Sequence, residues 1–331
     1  MNILVTGGAG YVGSHAVRSL AARGHGVKIY DNLSLGHREL VPGFTFIEAD
    51  IADSQQLRRA LHDIDLVMHF AASAYVGESV ENPRKYFANN VVKGLTLLDS
   101  VIDAGVRQFV FSSTCAVYGA HDVPITEATP CDPINPYGDS KLFFERALDA
   151  YDHTYGLRSV RLRYFNASGA DDSGEVGELH DPETHLIPLA LEAVAGLRPA
   201  LEIMGDDYPT SDGTCIRDYI HVNDLSRAHV QAADYLERGG TSRALNLGTG
   251  KGHSIRELLS TIQRVTGHPV PARVVARRPG DPPRLTADAT LARELFGWTP
   301  THSLEQIVAS AWKWMHSETC QKLRKVPVRS L

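Results

Sequence analysis

Short, strongly apolar runs recur along the first half of the chain, with helix-like stretches between them. The runs occupy residues 2–6, 27–31, 44–50, 65–71, 108–113 and 159–165. Helical periodicity fills most of the intervals, for example in the stretches 11–24 and 86–105. Nearly continuous apolar strands that alternate with helices are typical of a parallel sheet covered on both faces. The pattern predicts an α/β fold built on a doubly wound parallel sheet.

A glycine-rich turn, VTGGAGYVGS, joins the first predicted strand to the first helix. Gly8, Gly10 and Gly13 fit the spacing GxGxxG, and Gly7 opens an overlapping GxxGxxG. Such a turn lets the backbone approach a pyrophosphate, and the following helix N-terminus offers its N–H groups. Asp31 ends the second strand, where a carboxylate holds ribose hydroxyls and repels a 2′-phosphate. The pattern therefore predicts a Rossmann-type unit that binds NAD, with a purely structural turn as the weaker alternative.

The stretch NPYGDSK combines a helix start with a tyrosine and a lysine. Asn135 and Pro136 are typical of the first turn of a helix, and Gly156 marks its end. Tyr137 and Lys141 then lie one turn apart on the same side of this helix. A nearby ammonium and the positive helix end both favour a phenolate, so we expect a lowered pKa that makes Tyr137 a base. The spacing alone is common, and an ordinary amphipathic helix is the alternative.

Composition limits the partners of the chain. The 331 residues carry a formal charge of −6, which disfavours nucleic acid or an anionic membrane as the main partner. No apolar run approaches the ~20 residues of a membrane span, and the N-terminus enters a strand without an export signal. The four cysteines form no CxxC pair, which indicates a reducing compartment without disulfides or a cysteine zinc site. We expect a cytosolic, cytoplasmic protein.

Several longer runs resemble a known family. They are residues 69–79, 89–98, 162–170, 183–193, 212–225, 245–255 and 277–281. With the YxxxK pair they resemble the extended short-chain dehydrogenase/reductase superfamily, and within it the UDP-glucose 4-epimerase family and its close UDP-sugar relatives. The similarity extends from residue 1 to about residue 315, and the tail QKLRKVPVRSL lies beyond it.

The resemblance implies roles for individual residues. Tyr137 would be the catalytic base, Lys141 the cation that tunes it, and Thr114 the hydroxyl-bearing third partner. Asp50 would contact adenine, although a capping carboxylate is an equally good interpretation. The cofactor, NAD, would contact Gly7, Gly10, Tyr11, Val12, Gly13, Asp31, Asn32, Asp50, Ile51, Phe70, Ala71, Ala72, Asn89, Tyr137, Lys141 and Phe165. The UDP-sugar would contact Thr114, Asn166, His185, Leu186, Arg217, Tyr219, Arg278 and Asp281.

Two of these substrate residues also follow from chemistry. A UDP-sugar needs cations for its diphosphate, and the guanidinium groups of Arg217 and Arg278 suit phosphate oxygens. For a single arginine, a surface ion pair is the alternative. His180 and His185 lie five residues apart in an acidic stretch, but no third ligand stands at a useful spacing, so we expect no metal site.

The expected organisation is a large domain and a smaller one. Residues 1–170, with a return segment near 215–250, would form the NAD-binding Rossmann domain, and residues 171–331 a smaller α/β lobe that binds the UDP-sugar. A helix is expected at about 185–196 within that lobe. The family resemblance also implies a homodimer.

The absence of one acid indicates the reaction type. Related dehydratases and decarboxylases carry an acidic residue just before the VYG turn, where this chain has Cys115 and Ala116. The resemblance therefore implies an isomerase that interconverts UDP-glucose and UDP-galactose through a 4-keto intermediate with tightly bound NAD. A net oxidoreductase and a non-catalytic NAD-binding scaffold are the alternatives from other classes.

The sequence leaves two classes of sugar open. Ala74 and Tyr75 stand where hexose epimerases of the family commonly carry a lysine, which makes a UDP-xylose/UDP-arabinose 4-epimerase the main alternative. Leu285 falls where side-chain size gates the sugar pocket, and leucine is intermediate there. Acceptance of N-acetylated sugars is left open.

Overall fold

The computed structural model describes residues 1–121, 124–278 and 281–324. Its strands are β1 Asn2–Thr6, β2 Gly26–Asp31, β3 Thr45–Glu48, β4 Leu66–His69, β5 Gln108–Thr114, β6 Arg158–Tyr164, β7 Asn166–Ser168, β8 Leu201–Met204, β9 Ile216–Arg217, β10 Tyr219–His221, β11 Arg243–Leu247, β12 His253–Ser254, β13 Ala272–Val275 and β14 Arg284–Leu285. Its α-helices are α1 Tyr11–Ala22, α2 Ser54–Ala60, α3 Val76–Glu81, α4 Pro83–Tyr86, α5 Lys93–Asp103, α6 Pro136–Tyr155, α7 Leu186–Val194, α8 Val222–Glu237, α9 Ile255–Thr266, α10 Thr290–Phe296, α11 Leu304–Met315 and α12 Glu318–Leu323.

Seven parallel strands form the main sheet, in the order β11-β6-β5-β4-β1-β2-β3. Ile3, Leu4 and Val5 of the central strand are fully buried, because hydrophobic clusters cover both faces of the sheet. The predicted doubly wound α/β sheet of Rossmann type is confirmed. The six strands predicted from sequence match β1 to β6 to within about two residues at each end, a normal margin for strand boundaries.

Helix α6 runs from Pro136 to Tyr155, as its sequence signals predict. The Asn135 side chain accepts a hydrogen bond from the N–H of Gly138 at 2.9 Å, and Gly156 closes the helix at φ 70°, in the left-handed region. A buried ion pair between Glu145 and Arg163 then joins the helix to β6. The N-terminus of α6 is therefore held in a fixed position beside the carboxyl end of β5.

The later chain adds a second hydrophobic cluster, in which α7, α9 and α11 pack together. Small sheets accompany it: β8 pairs with β13, and β9 lies between β12 and β14. The predicted helix at 185–196 is α7. Residues 325–331 of the predicted smaller lobe, with most of the predicted tail, lie outside the described residues, as do positions 279 and 280 of the RRPGD run. None of the described helices combines the length and apolar character needed to cross a membrane.

Candidate active site

The glycine-rich turn forms a tight cradle between β1, α1 and β4. A Cβ at Gly7, whose φ is +72°, would lie 2.4 Å from the backbone nitrogen of Ala71, and a Cβ at Gly13 would lie 2.2 Å from the oxygen of Gly7. Gly10 is the N-cap of α1 and supplies no side-chain cap, so Tyr11 and Val12 begin the helix with N–H groups that have no partner within it. The turn therefore presents backbone donors to an anion.

Asp31 lies beside this cradle at the end of β2. Its carboxylate accepts hydrogen bonds from the N–H groups of Ala9 (2.9 Å) and Leu33 (2.8 Å), and its side chain is buried. Burial raises the pKa of Asp31 above its usual value, although both hydrogen bonds oppose the shift. Asp31 thus lies beside the glycine-rich turn, bonded to Ala9 within it, and its contact with a ribose stays a prediction.

Asp50 follows β3 and joins a small polar cluster at the same edge. It accepts hydrogen bonds from Lys93 at 2.6 Å and Asn32 at 3.1 Å, and from the N–H of Ala52 at 2.9 Å. Burial disfavours its ionised form, but these donors outweigh burial and lower the pKa of Asp50. The adjacent Ile51 is buried. The sequence left two interpretations of Asp50, an adenine contact and a capping carboxylate. The bond from Ala52 is a local turn contact of the capping kind, whereas the pair with Lys93 lies outside the turn, so both interpretations remain.

The loop after β4 borders the glycine cradle. The N–H groups of Phe70 and Ala71 both donate to the oxygen of Thr6, at 2.8 and 3.1 Å, and Ala72 follows them at partial exposure. Phe165 is buried just after β6. The structure therefore gathers these predicted cofactor residues around the carboxyl ends of β1, β4 and β6, the edge at which open parallel sheets bind ligands.

Tyr137, Lys141 and Thr114 meet between α6 and the end of β5. The Lys141 ammonium lies 5.9 Å from the centroid of the Tyr137 ring and donates to the oxygen of Ser112 at 2.9 Å. Thr114 is buried, and its side chain accepts from the N–H of Ala116 at 3.1 Å. The predicted trio is brought together in space.

The predicted lowering of the Tyr137 pKa is wrong when only the residues of this chain act on the phenol. Desolvation raises the pKa of the phenol, and the neighbouring Tyr164 adds to the shift, whereas a hydrogen bond with Thr114 opposes it. Burial likewise lowers the pKa of Lys141 to about 7, against the charge of Glu145. Sequence reasoning counted the ammonium and the helix end but could not weigh the dry surroundings, which disfavour charge on both residues.

An asparagine that sequence reasoning missed connects this trio to the neighbouring loop. Asn90 is buried in a π-helical turn, Phe87–Val92, which also carries the predicted cofactor residue Asn89. Its side chain exchanges two hydrogen bonds with the backbone of Ser73, at 2.8 and 3.0 Å, and donates to Ser140 of α6 at 3.0 Å. The only signal in the sequence is the paired NN within an otherwise apolar helix.

A buried ion pair marks the predicted substrate side. Arg217 of β9 contacts Asp281 at 2.5 Å, and both side chains are largely covered. Tyr219 lies two residues on, buried and with no hydrogen-bond partner for its hydroxyl among the described residues. Arg278 lies next to this pair, because its backbone oxygen accepts a hydrogen bond from the N–H of Asp281 at 3.3 Å, but the residue is exposed. The alternative of a surface ion pair is wrong for Arg217, because its partner and its burial make the pair an internal one.

The remaining predicted substrate residues lie on neighbouring elements. Asn166 begins β7 and donates to the oxygen of Asp218 at 2.9 Å. Leu186 begins α7 and packs partly against its hydrophobic cluster. His185, the N-cap of that helix, contacts the carboxylate of Glu178. Asn166 thus meets the strand that carries Arg217, whereas His185 belongs to a separate polar cluster.

That cluster changes one interpretation made from sequence. Glu178 and Glu183 join His180 and His185, and one ligand atom from each lies within 4.8 Å of the other three. The expectation of no metal site rested on the absence of a third ligand at a useful spacing, and the fold supplies two carboxylates in space.

Comparison with known proteins agrees with this geometry. The sequence profile of the NAD dependent epimerase/dehydratase family matches residues 3–248. The UDP-glucose 4-epimerase of Rhizobium meliloti strain 1021 is 51% identical over 97% of this chain and 98% of its own length. The crystal structure of UDP-glucose 4-epimerase from Brucella ovis in complex with NAD is 52% identical, with a TM-score of 0.92 over 94% of this chain and 97% of that one.

A further solved structure extends the comparison. The UDP-glucose 4-epimerase from Stenotrophomonas maltophila, with bound NAD and formylated UDP-arabinopyranose, is 43% identical, with a TM-score of 0.92 over 95% of this chain and 97% of that one. These matches span nearly the whole of each chain. The protein therefore belongs to the NAD dependent epimerase/dehydratase family, in which its sequence and fold group it with the UDP-glucose 4-epimerases.

Proposed function

We propose that the protein interconverts UDP-glucose and UDP-galactose with tightly bound NAD. The observation that carries the proposal is the meeting of Tyr137, Lys141 and Thr114 at the carboxyl end of β5, at the sheet edge that also holds the glycine cradle. A dinucleotide held in that cradle reaches along this edge toward the trio. The family membership of the chain supports the same reaction.

The chain's own residues fit NAD. The N-terminus of α1 offers uncapped N–H groups to a pyrophosphate, and any side chain at Gly7 or Gly13 would fill the cradle. The Asp31 carboxylate, which lies beside this turn, would bind ribose hydroxyls and repel the 2′-phosphate of NADP. When bound, NAD would accept the hydride from sugar C4 and return it. Asn90 positions α6 against the loop that follows β4.

Tyr137 takes the proton of the C4 hydroxyl in its phenolate form and later returns it, and Thr114 assists through its hydroxyl. Burial raises the pKa of the free phenol, so the phenolate needs additional positive charge beside it, which bound NAD would supply. Burial raises the pKa of the Cys115 thiol to about 12, and Ala116 has no acidic group. No residue at this turn removes further protons from the sugar, so the reaction ends as an epimerisation.

Arg217 holds the diphosphate of the UDP-sugar in this account. Its guanidinium is kept in place by Asp281 and by a hydrogen bond to the oxygen of Ile216 at 2.8 Å. A guanidinium oriented in this way binds phosphate oxygens with two parallel hydrogen bonds. Anchoring the nucleotide while the sugar turns lets the keto sugar present either face to the hydride.

The wider organisation is part of the same proposal. Residues 1–170 with the return segment 215–250 form the NAD-binding domain, and residues 171–331 form the lobe for the UDP-sugar. Val92 and Phe143 are exposed at 63% and 54%, on two helical segments that pack together, and this apolar surface supports a homodimer. A cytosolic location is part of the same proposal.

A UDP-xylose/UDP-arabinose 4-epimerase is the second candidate, and Tyr75 favours it. Its side chain is buried, and its hydroxyl has no hydrogen-bond partner among the described residues. Leu285 pairs with Arg217 in the small sheet and packs against the hydrophobic cluster that contains Cys115. Bulk at these two positions would fill the space of a hexose C6 group and leave room for a pentose.

The test is to incubate the purified protein with UDP-glucose and follow UDP-galactose by NMR. The proposal predicts an equilibrium mixture of both sugars without added NAD. A folded, NAD-loaded protein that leaves UDP-glucose unchanged contradicts it, and stoichiometric reduction of NAD identifies an oxidoreductase instead.

A further inference from the structure

Four side chains in the segment before α7 converge on one point. The shared contact is the Oε1 atom of Glu178, which bonds to Nδ1 of His185 and lies 3.1 Å from Nδ1 of His180. The Oε1 atom of Glu183 lies 3.8 and 3.7 Å from the same two nitrogens. We call these four residues the His–Glu cluster. All four donor atoms lie within 4.8 Å of one another.

We propose that the His–Glu cluster is a binding site for a divalent transition metal of the zinc class. Two imidazole nitrogens and two carboxylate oxygens are a ligand set that Zn²⁺ accepts in a tetrahedral arrangement. With metal–ligand bonds of ~2.0–2.2 Å, the donor atoms of such a site lie about 3.3–3.5 Å apart. Three of the histidine–carboxylate separations, 3.1, 3.7 and 3.8 Å, lie within about 0.5 Å of these values, and the Glu178–His185 contact, which is shorter, would have to open to admit the ion.

An unsatisfied nitrogen supports a cation at this point. Nδ1 of His180 is buried and makes no hydrogen bond within the described residues, although it faces Glu178 and Glu183. Polar atoms that are buried without a partner are rare and call for an explanation. A metal ion at the centre of the cluster would accept the lone pair of this nitrogen.

Charge also fits a divalent ion. Two carboxylates with two neutral imidazoles carry a charge of −2, which one Zn²⁺ balances. Without a metal, protons on the two histidines must balance the charge.

The surroundings would orient the ligands and admit the ion. The Glu183 carboxylate accepts hydrogen bonds from the N–H groups of Thr184 and His185, at 2.7 and 2.9 Å, which fixes it toward the cluster. Ring edges of Tyr11 and Tyr75 pack around His180. The His185 side chain is 45% exposed and leaves a route from solvent.

A metal here would tie the segment before α7 to the glycine-rich turn. Tyr11 contacts His180 and belongs to the first turn of α1, and its hydroxyl donates to the oxygen of Gly169 at 2.7 Å. The inference concerns binding and stability, so it does not rest on the proposed function.

The experiment uses the full chain with its NAD, treated with a chelator and then titrated with Zn²⁺ or Co²⁺. We expect one saturable site by calorimetry, a visible absorption band typical of four-coordinate Co²⁺, and a higher Tm with Zn²⁺. Mg²⁺, which prefers oxygen ligands in octahedral geometry, should not compete.

Two variants locate the site. Glu183→Gln keeps an oxygen for the two backbone N–H groups but removes the charge, and His180→Asn removes a ligand while leaving the contact between Glu178 and His185. Each should weaken Zn²⁺ by at least ~10-fold and abolish the Co²⁺ band, since even outer contacts are worth ~10–100-fold. His62→Asn, at an exposed pair with Asp63, is the matched control and should change nothing.

Absence of saturable binding by the unaltered protein overturns the proposal and identifies a cluster held together by protons alone. Unchanged affinity in folded Glu183→Gln also overturns it, because the metal would then lie elsewhere. If His180→Asn does not fold, Glu183→Gln alone decides.

Discussion

The two sides of the proposed active site treat charge in opposite ways. On the side of α6 and β5, burial raises the pKa of Tyr137 and lowers that of Lys141 to about 7, so burial disfavours the charged form of both residues. On the opposite side, Arg217 keeps its charge through a buried pair with Asp281. A site shielded from water strengthens the electrostatic interactions made during proton and hydride transfer, whereas a fixed cation binds a diphosphate. The difference indicates that the side of α6 and β5 carries out the reaction, whereas the side of Arg217 binds the diphosphate.

The neutral side should control turnover. Tyr137→Phe removes the hydroxyl that accepts the C4 proton in the proposed reaction, so we expect kcat to fall by at least ~10²-fold, the low end for positioned acid–base catalysis. NAD content and Tm should stay unchanged. Steady-state kinetics on protein with verified NAD content is the measurement. Near-normal turnover in such a protein would show that Tyr137 does not transfer the C4 proton, and the contrast between the two sides would then be wrong.

The charged side should control substrate binding. Arg217→Met leaves Asp281 buried without its partner and removes the phosphate anchor, so we expect kcat/KM to fall by ~30-fold, about 2 kcal/mol, mostly through KM. Arg217→Lys should recover part of the loss, because it restores charge without the planar fork. Arg256→Met is the matched control, since its pair with Asp206 is exposed. A loss confined to kcat would contradict the assignment of Arg217 to substrate binding.

The pH dependence of stability tests the dry side independently. His229 of α8 is buried against Phe70, and burial lowers its pKa to about 4. Because the unfolded chain has the higher pKa of about 6.5, it binds the extra proton between pH 6.5 and 4. Stability from this histidine is therefore present above pH 6.5 and lost as pH falls through that window, by about 2 kcal/mol between pH 7 and 5.

Urea unfolding of the protein and of His229→Leu at pH 7, 6 and 5 measures this term. The variant should show a shallower loss of unfolding free energy toward pH 5, whereas His62→Asn, at an exposed histidine, should follow the unaltered protein. Identical slopes for all three would show that His229 takes up no proton on unfolding.

The sugar preference should be the smallest effect. A pentose lacks only the C6 group, and a missing apolar contact costs ~1–3 kcal/mol. We expect UDP-xylose and UDP-arabinose to react more slowly than UDP-glucose and UDP-galactose when kcat/KM is measured for all four. Tyr75→Ala should widen the gap in favour of hexoses. A pentose preference above about tenfold, or ~1.4 kcal/mol, would reverse the assignment.

Sequence predicts the parts that local signals encode. The bounds of α6 follow from Asn135, Pro136 and Gly156, which act within one turn of the chain. The glycine cradle and Asp31 likewise follow from the spacing within a single βα unit. These signals need no knowledge of distant contacts.

The remainder depends on contacts that only the fold creates. The raised pKa of Tyr137 reflects surrounding groups such as Tyr164, which sequence spacing does not place. Arg217 meets Asp281 across 64 positions of chain. The sequence did not predict the His–Glu cluster, because its carboxylates lie at no recognised ligand spacing. The fold of the loop before α7 brings them together.

The central claim is that the hydride leaves C4 of the sugar and returns to it within one cycle. UDP-glucose deuterated at C4 tests it directly, with the NAD-loaded protein in ordinary water and no added cofactor. The account predicts UDP-galactose that retains deuterium at C4. Product that carries hydrogen from water at C4, or stoichiometric reduction of NAD with no galactose epimer formed, would contradict it.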